Sequence, residues 1–398
     1  MSKVSPKRLG DLITLKRGYD LPEKNRVSGP YPVISSAGVS GFHNEYKVEG
    51  QGVVTGRYGT LGEMYFVEDK YWPHNTALYV QNFKGNDPKY IYYLLSCLGR
   101  IRTSDKSAVP GVNRNELHEM AIPAIDDRKL QVAIRKVLEA IDNKIELNNR
   151  INAELEAMAK TLYDYWFVQF DFPDDSPKGQ GKPYKTSGGK MVYNPTLKRE
   201  IPEGWEVAPI AKYFNYQEGP GITKEKYANE GHNFINIKCI QDNDLDVSNA
   251  SKIADKFVDA YSHFQLDEND IVLSTSGTLG RLAIVRKVHL PLLLNTSVIR
   301  FKAREFYYFE YLYCYLQSQT FIGYLNQLAT GSIQKNFGPT HLAQIFETFP
   351  SENLIIEFSK LTGPILKKII SLRSETDELI KLRDWLLPIL MNGQVTVK

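Results

Sequence analysis

Polar and cationic side chains flank two copies of a short glycine motif in this sequence of 398 residues. The motif Gly-Thr-Leu-Gly begins at Gly59 and again at Gly277. Its flanking polar residues are Arg57, Tyr58 and Thr60 in the first copy and Ser276, Thr278 and Arg281 in the second. Such side chains can form hydrogen bonds with base edges, and cations can bind phosphates. The glycines predict a tight turn between strands, and a purely structural role stays equally open for their polar neighbours.

A second pair of loops carries amide and cationic side chains. They are Lys106, Asn113 and Arg114 in the first half of the chain and Gln334, Lys335 and Asn336 in the second. Asn or Gln can form two hydrogen bonds with adenine, and Arg can do so with guanine. These loops are therefore predicted to contact DNA. The alternative is that an Asn placed before a helix serves as its N-cap.

The order of these landmarks is the same in both halves. Asn75-Thr76 follows the first glycine motif and Asn295-Thr296 follows the second. Each half then has an Asn-containing loop, a proline and a long helical pattern, so the sequence indicates a duplicated unit. Short β-branched and aromatic segments alternate with a few helices, which favours the α+β class with two tandem, similar α/β domains, each followed by a long helix.

Both long helices show apolar residues at steps of three and four, the spacing of helices that pair side by side. The expected seams are Ile134, Leu138, Ile141, Ile145, Asn148, Asn152, Leu155, Ala159, Leu162 and Trp166, and Phe358, Leu361, Ile365, Lys368, Leu372, Glu375, Leu379, Leu382, Leu386 and Ile389. The polar seam positions either fix register or face solvent. Antiparallel pairing as a coiled coil would relate the two domains by pseudo-twofold symmetry.

These patterns predict five segments. They are a first domain (1–125), a central long helix (126–172), a surface linker rich in Gly, Pro, Lys and Ser (173–200), a second domain (201–351) and a C-terminal long helix (352–394).

Composition excludes several functional classes. With 49 basic and 46 acidic residues, the chain cannot bind nucleic acid through bulk charge. Its three cysteines and seven histidines lack metal-ligand spacing, and no phosphate-binding P-loop is present. No segment resembles a signal peptide or a membrane span, so a cytoplasmic location is expected. The sequence therefore favours a binding or scaffolding protein without a catalytic centre.

Several longer phrases resemble the specificity (S) subunit of type I restriction-modification systems. They are "VNRNELHEMAIP" (112–123), "LEAIDNKIELNNRINAELEAMAKTLYDYWFVQFDF" (138–172), "IPEGWEV" (201–207), "GSIQKNF" (331–337) and "LIKLRDWLLPILMNGQ" (379–394), which together extend over nearly the whole chain. The opening "VSPKRLGDLITLKRG" lacks the Gly-Trp pair that precedes the second domain, and the two Asn loops differ, which suggests different base targets.

The resemblance implies two target-recognition domains, each of which reads one half of a bipartite, asymmetric double-stranded DNA sequence, with the coiled coil setting the spacer. It implies two methyltransferase (M) subunits and motor-nuclease (R) subunits as partners, on which S-adenosylmethionine, ATP and Mg would be bound. On this interpretation the chain holds no cofactor or metal and is not an enzyme. A coiled-coil scaffold without DNA sequence preference, or an unrecognised DNA-modifying enzyme, are the alternatives.

Large aromatic residues near the ends of the long helices are candidates for a partner interface. Tyr163, Trp166 and Phe167 lie at the end of the first helix, and Trp385 lies in the second. Large aromatic side chains often anchor protein interfaces. Packing between the two helices is an equally open interpretation.

Overall fold

The computed structural model describes residues 4–56, 63–97, 114–177, 179–241, 243–248, 250–331, 336–395 and 397. It divides into two compact units, unit 1 with residues 1–147 and 376–398, and unit 2 with residues 148–375. The division falls inside both long helices. Each unit therefore contains one mixed domain and one segment of each long helix.

Unit 1 begins with a mixed domain of short strands and helices. Its strands are β1 (Val4–Arg8), β2 (Thr14–Arg17), β3 (Tyr31–Ser35), β4 (Gly38–His43), β5 (Gly52–Gly56), β6 (Met64–Val67), β7 (Trp72–Pro73), β8 (Ala77–Asn82) and β9 (Ala121–Ile125). Its helices are α1 (Leu9–Leu12), α2 (Pro88–Cys97), α3 (Arg114–Glu119) and the first part of α4 (Arg128–Tyr163).

Unit 2 contains the second mixed domain. Its strands are β10 (Pro173–Asp174), β11 (Lys182–Pro183), β12 (Met191–Asn194), β13 (Arg199–Pro202), β14 (Glu206–Pro209), β15 (Phe214–Glu218), β16 (Tyr227–Ala228), β17 (His232–Ile235), β18 (Ile240–Gln241), β19 (Asp244–Leu245), β20 (Ser251–Ile253), β21 (Ile271–Ser274), β22 (Leu282–Ile284), β23 (Leu292–Leu294), β24 (Val298–Ala303) and β25 (Phe346–Phe349). Its helices are α5 (Phe309–Leu316), α6 (Gln319–Leu328), α7 (Pro339–Leu342) and the first part of α8 (Glu352–Met391).

The two domains have the same strand order. A four-stranded antiparallel sheet has the order β2-β8-β5-β6 in unit 1 and β15-β24-β21-β22 in unit 2. A parallel pair, β3 with β7 and β17 with β23, recurs beside it. The first strand pairs with the last in each domain, β1 with β9 and β14 with β25. The predicted α+β class and the pair of tandem domains, each followed by a long helix, are confirmed.

Buried apolar strands form the centre of each four-stranded sheet. Every residue of β5 is buried, as is every residue of β21. Both are rich in β-branched or aliphatic side chains, which pack well when a sheet is covered on both faces.

The core of each domain is completed by both long helices. In unit 1, Ile134 and Leu138 of α4 join the same apolar cluster as Leu390 and Met391 of α8. In unit 2 a corresponding cluster contains Phe358, near the start of α8, and the end of α4. Within each unit the early part of one helix therefore packs against the late part of the other, as antiparallel pairing requires.

The predicted seam of α4 agrees with the buried residues, but the predicted seam of α8 is wrong in part. Leu361, Lys368 and Leu382 are exposed. The buried stripe contains Phe358, Thr362, Leu366, Ile369, Leu372, Arg373 and Thr376. Three of these residues, Thr362, Arg373 and Thr376, are polar and were not in the predicted seam, which therefore followed a partly different face of the helix.

The segment predicted as a surface linker contains paired strands in its described residues. β10 pairs with β11, and β12 pairs with β13. The ring of Tyr184 stacks on Phe172 at a centroid distance of 4.7 Å. The Gly-rich and Pro-rich composition forms the turns of these hairpins, while the few apolar residues between the turns pack against the core.

No helix in the described part of the chain has the length and apolar character that crossing a membrane would require.

Candidate nucleic-acid interface

The second Gly-Thr-Leu-Gly motif forms the turn between β21 and β22. Gly277 and Gly280 have φ values of +65° and +80°, which favour glycine because a Cβ is strained in that region. The buried Ser274 side chain fixes the turn, since its Oγ donates to the Thr278 carbonyl at 2.6 Å and accepts from the Arg281 N–H at 2.9 Å. The predicted turn between strands is therefore present.

The turn exposes polar side chains on a rigid base. Thr278 and Arg281 are exposed and Ser276 is partly buried, while the strands on either side are buried. The buried hydrogen bonds of Ser274 hold the backbone of the turn. Ligand binding at the turn therefore costs little backbone conformational entropy.

The loop that contains Asn336 meets this turn. Asn336 forms an antiparallel bridge with Ser276, and the Phe337 N–H donates to the Thr275 carbonyl at 3.0 Å. The Asn336 backbone also exchanges two hydrogen bonds with Thr330, of 2.7 and 2.9 Å. Two loops about 60 residues apart, each predicted separately to contact DNA, therefore form one surface. The buried ring of Phe337 anchors it.

The N-cap alternative is wrong for Asn336. The following helix, α7, has Gly338 at its N-cap, and the Gly338 N–H donates to His341 Nδ1 at 2.9 Å. Asn336 is exposed, and its side chain is available for other contacts. In the first domain Arg114 is exposed at the first residue of α3.

Seven of the predicted contact residues lie outside the described residues. They are Arg57, Tyr58, Thr60, Lys106, Asn113, Gln334 and Lys335. The strands that lead into and out of the first motif are described, and they pair like their counterparts in unit 2, with Thr55 opposite Met64. The buried Thr55 hydroxyl donates to the Glu63 carbonyl at 3.0 Å, much as Ser274 bonds across the second turn.

A hairpin that the sequence analysis did not single out lies beside Arg281. Strands β18 and β19 form it, and Gln241 and Asn243, with Arg281 and Leu282, line a pocket of about 450 Å³. Arg281 approaches the hairpin backbone, with Nη1 3.5 Å from the Ile240 carbonyl. Asn243 has a φ of +59°, a conformation that Asn adopts more readily than most residues. The only sequence signal was the run Gln-Asp-Asn-Asp, which is typical of a tight turn.

Three of the four aromatic residues predicted for a partner interface are core residues. Tyr163, Trp166 and Phe167 are buried, and the Phe167 ring lies 4.9 Å from those of both Tyr311 and Phe358. The interface prediction is therefore wrong for these three, because the end of α4 and the π-helical turn that follows it (Asp164–Val168) complete the core of unit 2. Trp385 differs, since 62% of its surface is exposed, and Leu382 is exposed one turn earlier.

No cluster of metal-ligating side chains occurs among the residues that the structure describes. The polar groups that the structure describes at this surface include hydroxyls, amides and a guanidinium, which suit hydrogen bonding to bases and phosphates.

Comparison with known proteins gives consistent matches. The family model described as "Type I restriction modification DNA specificity domain" matches residues 1–157 and 202–345. The type I restriction enzyme MjaIX specificity subunit of Methanocaldococcus jannaschii is 25% identical over 80% of this chain and 73% of that protein. The type I restriction enzyme HindI specificity subunit of Haemophilus influenzae is 24% identical over 77% of each chain.

A solved structure shares the fold. The crystal structure of the type I restriction-modification system S subunit from M. genitalium superposes with a TM-score of 0.59 at 16% identity, with 98% of this chain and 96% of that chain covered.

Proposed function

This chain belongs to the type I restriction-modification DNA specificity family, and we propose from this premise that each of its two domains reads one half of a split, asymmetric DNA sequence. The domains share a strand order but carry different residues in their loops, so their targets should differ. The chain would supply sequence recognition, while its partners would supply the chemistry.

The observation that carries this proposal is the single surface formed by the Gly-Thr-Leu-Gly turn and the Asn336 loop. It presents a hydroxyl, an amide and a guanidinium from a rigid base. Amide and guanidinium groups are those that discriminate adenine and guanine in the major groove. In the first domain, the described strands β5 and β6 on either side of the first motif occupy the same place in the strand order.

We propose methyltransferase subunits as the direct partners, with motor-nuclease subunits joining them. S-adenosylmethionine, ATP and Mg would be bound on those subunits, and this chain would hold no cofactor. For docking, the exposed Trp385 and Leu382 offer an apolar contact on α8. An exposed tryptophan of this kind is a common anchor of protein interfaces.

Methylome sequencing tests the recognition role. Cells that express this chain with its methyltransferase partner are compared with cells that express the methyltransferase alone. The proposal expects adenine methylation at one split, asymmetric motif only when this chain is present. A chain that associates with the methyltransferase but yields no motif would support the scaffold alternative, and methylation by the purified chain alone would support the enzyme alternative.

Insertions in the long helices test whether they set the spacer. Four residues inserted into both helices add about 6 Å of helix at 1.5 Å per residue. The preferred spacer should then lengthen by about two base pairs, at about 3.4 Å per step. An unchanged spacer would rule out this role for the helices.

A further inference from the structure

The β18–β19 hairpin of unit 2 is fastened to both long helices. Arg373 of α8 donates to the Glu156 carboxylate of α4 and to the backbone carbonyl of Asn243. The Asn243 side-chain amide donates to the other oxygen of Glu156 at 2.8 Å. One guanidinium, one carboxylate and one amide thus join two helices and a hairpin in a closed network.

Asp244, the next residue of the hairpin, is connected through Arg286 to Ser374, the next residue of α8. Asp244 accepts from Arg286 Nη2 at 2.7 Å, and Arg286 Nη1 donates to Ser374 at 3.2 Å. The Arg286 side chain is buried, and His289 holds its backbone N–H at 3.1 Å. Asn243 and Asp244 therefore have separate connections to Arg373 and Ser374, so the hairpin cannot tilt without breaking several polar contacts.

These contacts also neutralise the charge beside the pocket. The carboxylates of Glu156 and Asp244 are paired with Arg373 and Arg286. Unpaired carboxylates at this position would repel the phosphates of an approaching DNA. Among the described residues that line the pocket, Gln241 and Arg281 have exposed side chains, and the Gln241 amide donates to the Lys238 carbonyl at 2.8 Å.

We propose that the hairpin is a second base-reading element of this domain, in which Gln241 contacts a base edge next to the base contacted by Arg281. Arg373 is the positioning residue that holds the hairpin for this contact. This inference rests on the proposed function, because it assumes that the second domain reads DNA. It places a determinant of sequence specificity on a long helix, outside the loops that touch DNA.

The direct test is the methylated motif of cells that express the full chain with its methyltransferase partner. We compare the wild-type chain with Gln241→Ala, Arg373→Ala and Arg383→Ala. Arg383 is the matched control, because it lies on the same helix and pairs with Asp142 of α4 in unit 1, at 3.2 Å. The Asn336→Ala variant identifies the half-site that the second domain reads.

Gln241→Ala should relax at least one base position in the half-site that Asn336→Ala alters. The preference there should fall by about fivefold or more, since one good base contact discriminates at least that strongly. Arg373→Ala should relax the same position, and Arg383→Ala should leave that half-site unchanged. A merely structural role for Arg373 would instead lower methylation equally at all sequences.

Gln241 is exposed, so Gln241→Ala should fold normally. This variant therefore tests the role of the hairpin even if Arg373→Ala does not fold. If Gln241→Ala gives an unchanged motif, at full or uniformly reduced methylation, the inference is wrong. The proposed function still stands in that case if the wild-type chain gives a split motif. Absence of any motif with the wild-type chain would overturn both.

Discussion

The two units share a strand order but fill the same place in the core with different side chains. In unit 2 the end of α4 contributes Tyr163, and the π-helical turn that follows it (Asp164–Val168) contributes Trp166 and Phe167, all of which pack against other aromatic rings. In unit 1 the end of α8 contributes Leu390 and Met391 to a cluster in which most of the buried side chains are aliphatic. The two units therefore share a strand arrangement in which the end of one long helix packs into the core. The side chains at that place differ in type.

The polar contacts between the helices differ in the same way. In unit 2, Arg373 and Glu156 form a pair whose side chains are only 7% and 19% exposed. In unit 1, Arg383 and Asp142 form a pair that is 33% and 28% exposed, and Asp142 also accepts from the Tyr93 hydroxyl at 2.6 Å. The buried pair is bonded to a hairpin beside the candidate interface, whereas the partly exposed pair lies against α2.

The largest contrast should come from the helix ends. Trp166→Ala should destabilise unit 2 by about 3–5 kcal/mol, and Leu390→Ala should destabilise unit 1 by about 2–5 kcal/mol, because each leaves a cavity. Hydrogen exchange followed by mass spectrometry should show the greatest loss of protection in the unit that holds the substituted residue. If Trp166→Ala deprotected mainly residues 4–147, the assignment of the α4 end to the core of unit 2 would be wrong.

The ion pairs should give the next contrast. Arg373→Ala should cost about 3 kcal/mol, the lower end for breaking a buried pair, because it leaves Glu156 without its main cation. Arg383→Ala should cost about 1 kcal/mol or less, as partly exposed pairs do. Denaturant unfolding of the full chain measures both, and equal effects would remove the distinction between the two pairs.

Asn148 sharpens the comparison at the point where α4 passes from one unit to the other. Its side chain is fully buried and donates to Glu375 Oε2 at 3.0 Å. Asn148→Ala should cost about 1–3 kcal/mol, because it removes a donor from a partly buried carboxylate. The exposed neighbour gives the control, and Asn149→Ala should change the unfolding midpoint very little. Equal midpoints for the two variants would argue that the polar seam position has no structural role.

Glu347 in unit 2 should make the stability of the chain depend on pH. Burial raises the pKa of the Glu347 carboxyl above its ordinary value of 4.5, although Arg199 acts in the opposite direction. The folded state then binds protons more tightly than the unfolded chain, so this group adds stability as the pH falls from neutral towards 4.5. Glu347→Gln should reduce that gain, and an identical pH profile of unfolding would contradict it. This change in stability should be the smallest of those described, because Arg199 lowers the pKa of Glu347 and so offsets part of the effect of burial.

The sequence predicted the domains and the turn better than it predicted the buried polar contacts and the hairpin beside the candidate interface. The repeated landmarks were enough to predict the two domains. Gly277 and Gly280 were enough to predict the turn, because glycine is the residue that adopts left-handed backbone most readily. The α8 seam was wrong in part because Thr362, Arg373 and Thr376 are buried polar residues, and the partners of Arg373, Glu156 and Asn243, lie far away in sequence. The β18–β19 hairpin was missed for the same reason, since its anchors are Glu156 and Arg373.

The aromatic helix ends show a further limit. Tyr163, Trp166 and Phe167 were equally consistent with a partner interface and with a core, because both environments favour large apolar rings. Only the tertiary contacts with Tyr311 and Phe358 distinguish the two.

The decisive question is whether each of the two domains reads its own half of the DNA target. Methylomes should be sequenced from cells that express the wild-type chain, Arg114→Ala or Asn336→Ala, each with the methyltransferase partner. Arg114→Ala should change base preference in one half of a split motif only, and Asn336→Ala should change it in the other half only. If both variants altered the same half, or if the wild-type motif were continuous, the assignment of one half-site to each domain would be contradicted.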